Sequence, residues 1–357
     1  IIMKKILLSI FFFNLFVIQI SATEIKPSFS TEDYVSTLKK ITDVMVNDVA
    51  SPVVASRYYA YISLSAYEVQ SAFQPLAYPS MAGKVNGLKK IIFNPKEISK
   101  SDAQLAIQLA LLKSAIKLLP SGYMLNKEVD SIATKYNTSA TQKSLYQNTA
   151  IVVDSLVIQV IRYARQDGFP KINNLPKYIL KNGDGYWKPT PPAFMAPVEP
   201  HWNTIRPFFL DSAQQFKTKP PVPYDTSMNS SFYGLMKEVF EIRNTLTEEQ
   251  KNIANFWDCN PFAVQQIGHV EFGLKKISPG GHWIGITGIA CKKSQLTLEK
   301  TVYIHLAVSA TIFDAFIACW DEKYRSNRIR PETVIQKLLQ KNWHPLLQTP
   351  PFPEYVS

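Results

Sequence analysis

The sequence predicts an all-α protein built from two helical bundles that are joined by a proline-rich connector. Apolar residues recur at three- and four-residue spacing along most of the chain, which is the period of amphipathic helices. Breaks that contain proline or glycine separate these segments, and no run of alternating, strand-like character is convincing. With 357 residues, 46% of them hydrophobic and 19% charged, the chain is long enough for a large core and too apolar for a disordered protein.

The N-terminus has the three parts of a secretory signal peptide. Lys4 and Lys5 precede an apolar segment over 6–20, and small residues at 20–22 form a cleavage site before Thr23. The alternative is a single membrane anchor, which the short length of the segment and the polar sequence behind it disfavour. We therefore predict a signal peptide over 1–22, export to the periplasm or out of the cell, and no transmembrane domain beyond this segment.

The first bundle is predicted over residues 23–169. Its helical periodicity covers five segments, namely 31–48, 52–72, 101–119, 126–136 and 139–166.

The connector is predicted over 170–224. Its stretch "GDGYWKPTPPAFMAPVEPHWNTIRPFF" (183–209) contains six prolines and two tryptophans. So many prolines exclude a continuous helix, and the aromatic residues indicate an ordered segment that packs over the helices.

The second bundle is predicted over residues 225–357, with its longest helix at 297–324. Thr247 and Gln250 form a capping box for an earlier helix that reaches about Cys259. "SPGGHW" (278–283) is predicted to be a loop. The long helix is apolar on nearly all faces from Val302 to Trp320, as expected for a buried helix.

Two polar residues interrupt this apolar helix. Asp314 needs a hydrogen-bonding partner, because an unpaired buried carboxylate is unstable. His305 is interpreted as a core histidine rather than a metal ligand. Three cysteines are too few and too irregularly spaced for a disulfide framework or a zinc site. No internal repeat and no glycine-rich phosphate loop is found.

The formal net charge of +11 suits an anionic substrate, nucleic acid or a membrane surface. One cluster of cations has a spacing that favours the first of these. Lys323 and Trp320 are three residues apart on one helix and share a face. Arg330 lies seven residues after Lys323, and Pro331 directly behind it disfavours the α conformation at Arg330 and suits the first position of a helix over 331–341. The lysine at a helix end and the arginine at a turn can therefore converge on one tetrahedral oxyanion.

These residues also carry a family resemblance. "KYRSNRIRP" (323–331) resembles the Lys-x6-Arg-Pro signature of the superfamily that contains vanadium-dependent haloperoxidases and type 2 phosphatidic acid phosphatases. "FPEYVS" (352–357) resembles the approach to the second signature, Pro-Ser-Gly-His, with Ser357 as its serine and Val356 in place of the proline. Trp320 and Phe352 stand where fungal-type chloroperoxidases have an aromatic pair near the presumed halide site. The segments "SPVVASRYYAYISLSAYEV" (51–69), "YWKPTPP" and "PGGHW" are similar to bacterial members.

The resemblance implies a fold of the vanadium chloroperoxidase type and an exported enzyme that uses vanadate. Lys323, Arg330 and Ser357 would donate hydrogen bonds to the vanadate oxygens, with Lys323 also polarising bound hydrogen peroxide. Halide would be oxidised to hypohalous acid beside Trp320 and Phe352, and an organic acceptor would be halogenated. No nucleic-acid partner is expected.

The resemblance places two histidines, the vanadium ligand and an acid–base residue, in signatures beyond Ser357. We therefore expect that the second bundle is incomplete here, and that these residues alone are inactive. One alternative is an acid phosphatase on the same scaffold, because vanadate mimics phosphate. Another is a non-enzymatic, basic helical binding protein. Halide preference, organic substrate and oligomeric state are not specified by these motifs.

Overall fold

Helices joined by turns and 3-10 segments form the protein over residues 28–267, 270–273 and 275–356, which the computed structural model describes. The all-α prediction is confirmed, with one short β-hairpin as the exception within these residues. The predicted signal peptide at 1–22 lies outside the described residues.

The first part of the chain forms α1 (Thr31–Asn47), α2 (Pro52–Phe73), a four-residue turn α3 (Pro95–Ile98), α4 (Ala103–Leu118), α5 (Asn126–Lys135) and α6 (Ala140–Ala164). The five predicted helices are confirmed within a few residues at each end. Local chemistry explains where they begin. Ser30 and Asp33 form a reciprocal capping box at α1, and Ser51 caps α2 directly before Pro52.

Helix α2 is the centre of the hydrophobic core. Every residue from Pro52 to Ala72 is buried, because α4, α6 and two later helices, α9 (Pro279–Lys293) and α10 (Leu298–Ser326), pack around it. A helix that is enclosed on all sides cannot be amphipathic. Several of its polar side chains are hydrogen-bonded inside the core, as where Ser63 Oγ lies 3.0 Å from Ser309 Oγ of α10.

Residues 175–230 contain no α-helix and cover the bundle as irregular backbone, with a 3-10 turn at Trp202–Thr204. Trp187, Trp202 and Phe208 of this segment are fully buried. Arg206 links it to the bundle, because its backbone N–H donates to Asp167 O at 2.8 Å.

Helices α7 (Ser231–Thr245) and α8 (Glu248–Trp257) come next, and the predicted capping box of Thr247 and Gln250 is present. Strands β1 (Val264–Ile267) and β2 (Val270–Gly273) then pair antiparallel. The loop prediction for "SPGGHW" is wrong, because α9 (Pro279–Lys293) begins inside it. Ser278 accepts a hydrogen bond from the Gly281 N–H and thereby caps a helix that starts at a proline.

Helix α10 (Leu298–Ser326) is the longest, and α11 (Pro331–Leu338) follows it after a sharp turn. Asn327 ends α10 in the left-handed conformation with φ 49°. By length and composition, α10 and the segment Ala140–Asn174 are apolar enough to cross a membrane. Both also contribute residues to the shared hydrophobic core, as the core helices of soluble proteins do.

The two interrupting residues of α10 have partners in the core. Asp314 accepts hydrogen bonds from the backbone N–H groups of Phe208, Phe209 and Leu210 at 2.7, 2.7 and 3.2 Å. His305 Nδ1 is 2.8 Å from Thr301 O, and burial lowers the pKa of His305 to about 4, so the imidazole is neutral. The division into bundles at 23–169 and 225–357 around a connector at 170–224 stays a prediction; α9 and α10 share one core with α1, α2, α4 and α6.

Candidate active site

Lys323 and Arg330 meet at the segment 352–354, which crosses the end of α10. Lys323 Nζ donates to Pro353 O at 3.2 Å and to Glu354 O at 3.1 Å. Arg330 Nε donates to Phe352 O at 2.8 Å, and Arg330 Nη1 forms an ion pair with Glu354. The structure therefore brings together the two cations that the Lys-x6-Arg spacing singles out.

The turn between α10 and α11 places these two side chains. Asn327 closes α10, and Arg330 has extended backbone with φ −77° and ψ 144° directly before Pro331. Proline disfavours the α conformation of the preceding residue. The Lys323 and Arg330 side chains can consequently approach one segment from two elements instead of lying along one helix face.

The connector holds the site from the other side. Val198 O accepts hydrogen bonds from Trp320 Nε1 at 3.1 Å and from the Tyr324 hydroxyl at 2.7 Å. The Val198 N–H donates to Pro351 O at 3.1 Å, which ties the connector to the segment below the two cations. One backbone position thus fixes the aromatic residues of α10 relative to residues 350–354.

Aromatic rings flank the cations. The Trp320 and Phe352 ring centroids are 4.9 Å apart at an interplanar angle of 53°. The Phe352 centroid lies 5.1 Å from Lys323 Nζ and 5.0 Å from Arg330 Cζ, within the range of cation–π attraction. These rings give the site an apolar side next to its positive side.

Both cations are deeply buried. Lys323 is 1% exposed and Arg330 is 6% exposed. The pKa of Lys323 is lowered to about 8, mainly by burial. The neighbouring Arg330 also lowers this pKa, whereas Cys319 and Glu354 raise it. Burial also lowers the pKa of Arg330, which the Glu354 carboxylate counteracts; a guanidinium nevertheless stays charged at neutral pH.

Donor capacity remains at this site. Arg330 Nη2 is buried and has no hydrogen-bond partner among the described residues. Arg330 also lines a cavity of about 390 Å³ together with Phe352, Glu354 and residues of the 257–261 and 343–350 segments. A buried guanidinium with an unused N–H donor beside a cavity, and a second buried cation nearby, form a site that can take up an additional anion.

The remaining predicted or discussed residues have these positions. Ser357 lies outside the described residues. Arg325 pairs with Asp321 and Glu322, and Arg328 Cζ lies 4.4 Å from the Phe232 ring centroid. His282 is in the first turn of α9, with Nδ1 3.1 Å from Cys259 Sγ. Neither Arg325 nor Arg328 lines the cavity of Arg330.

Sequence reasoning missed Glu354 and the cavity. Glu354 is the carboxylate that pairs with Arg330, and the only sequence signal is an acidic residue within the "FPEYVS" segment next to a cation-rich one. The cavity wall comes from segments distant in sequence, including Cys259, Trp343 and Thr349. No local spacing rule connects such segments.

The fold and the site define a helical protein with a buried cation pair beside a cavity. Comparison with known proteins makes this class specific. The crystal structure of a bacterial vanadium-dependent iodoperoxidase superimposes with a TM-score of 0.85 at 37% sequence identity, covering 93% of this chain and 79% of that one. The profile of the VCPO second helical-bundle domain matches residues 303–357. The chain belongs to the vanadium haloperoxidase family.

More distant structures share the fold. Crystal structures of an apo-type and a holo-type bacterial vanadium-dependent chloroperoxidase give TM-scores of 0.58 and 0.59 at 14% and 13% identity. Each alignment covers 86% of this chain, with 74% and 73% of the other chains. A search of curated protein sequences gave no significant match.

Proposed function

We propose that this protein is a vanadium-dependent haloperoxidase that oxidises halide with hydrogen peroxide and releases hypohalous acid, which halogenates organic acceptors. The observation that carries the proposal is the convergence of Lys323 and Arg330 at residues 352–354, with Arg330 Nη2 buried and without a partner in the part of the chain that the structure describes. Membership of the vanadium haloperoxidase family supports it, as does the 37% identity to an iodoperoxidase.

The residues present fit vanadate, judged by charge and donor capacity. Lys323 and Arg330 are two buried cations, and the Glu354 carboxylate pairs with Arg330, with Glu332 a further carboxylate at the cavity. Their N–H groups suit the oxygens of a tetrahedral oxyanion. Vanadate, when bound, would act as the Lewis acid that activates peroxide toward halide.

The side chains of this protein would bind, orient and exclude water. Arg330 would hold the oxyanion through its planar fork, and Lys323 would supply a point charge and a proton-bearing nitrogen at the peroxide oxygen. Ser357 is proposed as a further donor. Trp320 and Phe352 would provide an apolar side for a weakly hydrated halide, since the Phe352 ring adjoins both cations and the Trp320 ring adjoins Lys323.

Iodide is the halide that we propose first. The relative with 37% identity is an iodoperoxidase, and iodide is the most easily oxidised and most weakly hydrated of the halides in question. The test is to measure peroxide-dependent oxidation of iodide, bromide and chloride by the vanadate-loaded gene product, read to its stop codon. Oxidation of iodide above the other two supports the proposal, and bromide oxidation at an equal or greater rate would assign a bromoperoxidase instead.

We propose that the vanadium-ligating histidine and the acid–base histidine belong to signatures beyond Ser357, where the resemblance places them. This chain has five histidines, none of which lies in those signatures, namely His201, His269, His282, His305 and His344. We therefore expect residues 1–357 alone to be inactive and to retain vanadate poorly. The experiment compares these residues with the gene product read to its stop codon, each loaded with vanadate. Equal retention and equal halide oxidation would mean that the site is elsewhere.

An acid phosphatase is the second candidate, because two cations and an unused donor suit a phosphate ester as well as vanadate. Rapid aryl phosphate cleavage by apo protein, without halide oxidation by loaded protein, would replace the peroxidase proposal. Anion binding without either activity would favour a basic binding protein.

We also propose export. A secreted or periplasmic product whose N-terminus is Thr23 would support it, and intact protein in the cytoplasm would contradict it.

A further inference from the structure

A cysteine and a histidine outside the cation pair form a contact at the wall of the same cavity. Cys259 Sγ lies 3.1 Å from His282 Nδ1, and Cys259 lines the cavity of about 390 Å³ that Arg330, Phe352 and Glu354 also line. Cys259 is half-buried and has no disulfide partner. The Cys259 thiol and part of the proposed site of halide oxidation therefore line one cavity, with the potential base His282 in contact with the thiol.

We propose that Cys259 is a self-modification site, at which the thiol captures electrophilic halogen that the neighbouring site produces, with His282 accepting the thiol proton. This inference rests on the proposed function for the source of hypohalous acid. Two observations on this chain support it, namely the Cys259–His282 contact and the cavity that both Cys259 and Arg330 line.

The reaction balances without a further oxidant. The sulfur attacks the halogen of hypohalous acid, so that an S–halogen bond forms, the O–halogen bond breaks, and the thiol proton passes through His282 to give water. Water then displaces halide to give a sulfenic acid. Sulfur is oxidised by two electrons, halogen is reduced to halide, and a thiol reductant can restore the cysteine.

The protonation state of the Cys259 thiol explains why a base is needed. Burial raises the pKa of Cys259, Asp258 raises it further, and Lys276 lowers it. The group is consequently a protonated thiol at neutral pH, whereas the thiolate is the better nucleophile. An imidazole nitrogen 3.1 Å away can take the proton as the bond to halogen forms. The other charged groups that border this cavity are Arg330, Glu332 and Glu354.

Trp257 and Phe256 hold the imidazole in place. The Trp257 and His282 rings are stacked, with centroids 4.8 Å apart at 28°, and the Phe256 centroid lies 5.7 Å away. His282 itself is anchored in the first turn of α9, where the His282 backbone N–H donates to Ser278 O. The contact with Cys259 thus depends on residues from two elements, α8 and α9.

The other cysteines are internal controls. Cys319 is also half-buried, but it lines a separate cavity of about 490 Å³ that Arg330 does not border. Within the described residues, no histidine forms a hydrogen bond with Cys319. Cys291 is 2% exposed. Burial raises the pKa of all three thiols, so differences in reactivity among them would reflect access and the histidine contact.

The first experiment supplies the oxidant from outside, so it does not depend on enzyme activity. The gene product without vanadate is treated with less than one equivalent of iodine in iodide solution, sulfenic acid is trapped with dimedone, and peptides are quantified by mass spectrometry. We expect Cys259 to be labelled at least about fivefold more than Cys319 or Cys291. Equal labelling of Cys319, or preferential oxidation of methionines, would overturn the proposal.

His282→Gln tests the base. We expect about tenfold slower labelling of Cys259. Added imidazole should restore part of the labelling rate of the variant and leave the wild-type rate unchanged, which a merely structural role of His282 would not produce. A variant whose Cys259 is labelled as fast as in wild type would remove His282 from the mechanism.

The second experiment uses turnover with vanadate, peroxide and iodide, in the presence of excess free methionine that scavenges released product. Labelling of Cys259 that survives the scavenger supports capture inside the cavity. Iodide oxidation without labelling of Cys259 would contradict self-modification while leaving the proposed function intact. If iodide is not oxidised, the proposed function fails, and the external iodine experiment alone decides the reactivity of Cys259.

Discussion

Two buried arginines of this protein differ in how their guanidinium groups are hydrogen-bonded. Arg57 of α2 donates from Nε to Asp167 Oδ2 at 2.7 Å and from Nη2 to Ala164 O at 2.8 Å, and its guanidinium lies over the Phe169 ring at 4.4 Å. Arg330 is buried to a similar extent, but its Nη2 has no hydrogen-bond partner within the described chain. Arg57 faces protein on all sides, whereas Arg330 borders a cavity.

The difference shows that burial of a cation does not by itself indicate a functional site. Arg57 and Asp167 neutralise each other, so this pair stabilises the packing of α2 against the end of α6. At the other site, Arg330 pairs with Glu354 but keeps a buried Nη2 donor with no partner among the described residues, and the second cation, Lys323, lies beside the same Phe352 ring. The second arrangement has a reason to attract an anion from solution, and the first has none.

The largest effect is expected at the structural arginine. Arg57→Met should lower the free energy of unfolding by about 3–5 kcal/mol, because it leaves the buried Asp167 carboxylate without its cation. Urea unfolding measures this change. The folded fraction should still bind phosphate or vanadate with unchanged affinity. A loss below about 1 kcal/mol, the usual range for an exposed pair, would contradict the structural role of the Arg57–Asp167 pair.

Arg330→Met should show the reverse pattern. We expect vanadate or phosphate affinity of the full gene product to fall about 10- to 100-fold, because a charge-assisted hydrogen bond in a buried site is lost. Titration calorimetry measures it. Arg328→Met is the matched control, since it removes the same charge from a residue that packs on Phe232 away from the cavity. Equal losses in the two variants would reduce the site to general surface charge.

The pH dependence of oxyanion binding should depend on Lys323. Its pKa is lowered to about 8 by burial, so the protonated, cationic fraction falls as the pH rises through that value, whereas an ordinary lysine stays charged to about pH 10. Oxyanion affinity should therefore decrease between pH 7 and pH 9.

Lys323→Arg is the control for this titration, because arginine keeps its charge over that range and the ionisation of the ligand is the same in both proteins. The ratio of wild-type to variant affinity should fall as the pH rises. A constant ratio would show that Lys323 does not titrate in the binding reaction.

The smallest effect is expected at the aromatic side of the site. Phe352→Leu keeps an apolar side chain but removes a ring whose centroid is about 5 Å from both cations. We expect a change of about two- to fivefold in oxyanion affinity, as for one cation–π contact. The KM for halide should rise more than kcat falls. An unchanged KM would remove Phe352 from the halide pocket.

The helices and the cation pair were predictable because their signals are local. Period and capping determine α1, α2, α4 and α6, and Pro331 begins α11 eight residues after Lys323. The β-hairpin was missed because Gln265 and Gln266 interrupt alternation in strands of four residues each. The start of α9 was missed because two glycines in "SPGGHW" outweigh the Ser278 cap in a sequence reading.

Contacts between distant segments could not be predicted. Val198 joins Trp320, Tyr324 and Pro351 through backbone groups, which have no sequence signature. The Arg57–Asp167 pair and the Cys259–His282 contact likewise form only after the bundle packs. Sequence alone therefore gave no reason to separate the paired Arg57 from the incompletely paired Arg330.

A crystal structure of the full gene product with vanadate tests the central claim most directly. We predict an oxyanion within hydrogen-bond distance of both Lys323 Nζ and Arg330 Nη2, next to the Trp320 and Phe352 rings, with Arg57 unchanged against Asp167. An oxyanion bound elsewhere, with the Arg330 guanidinium still contacted only by Phe352 O and Glu354, would contradict the assignment of this site.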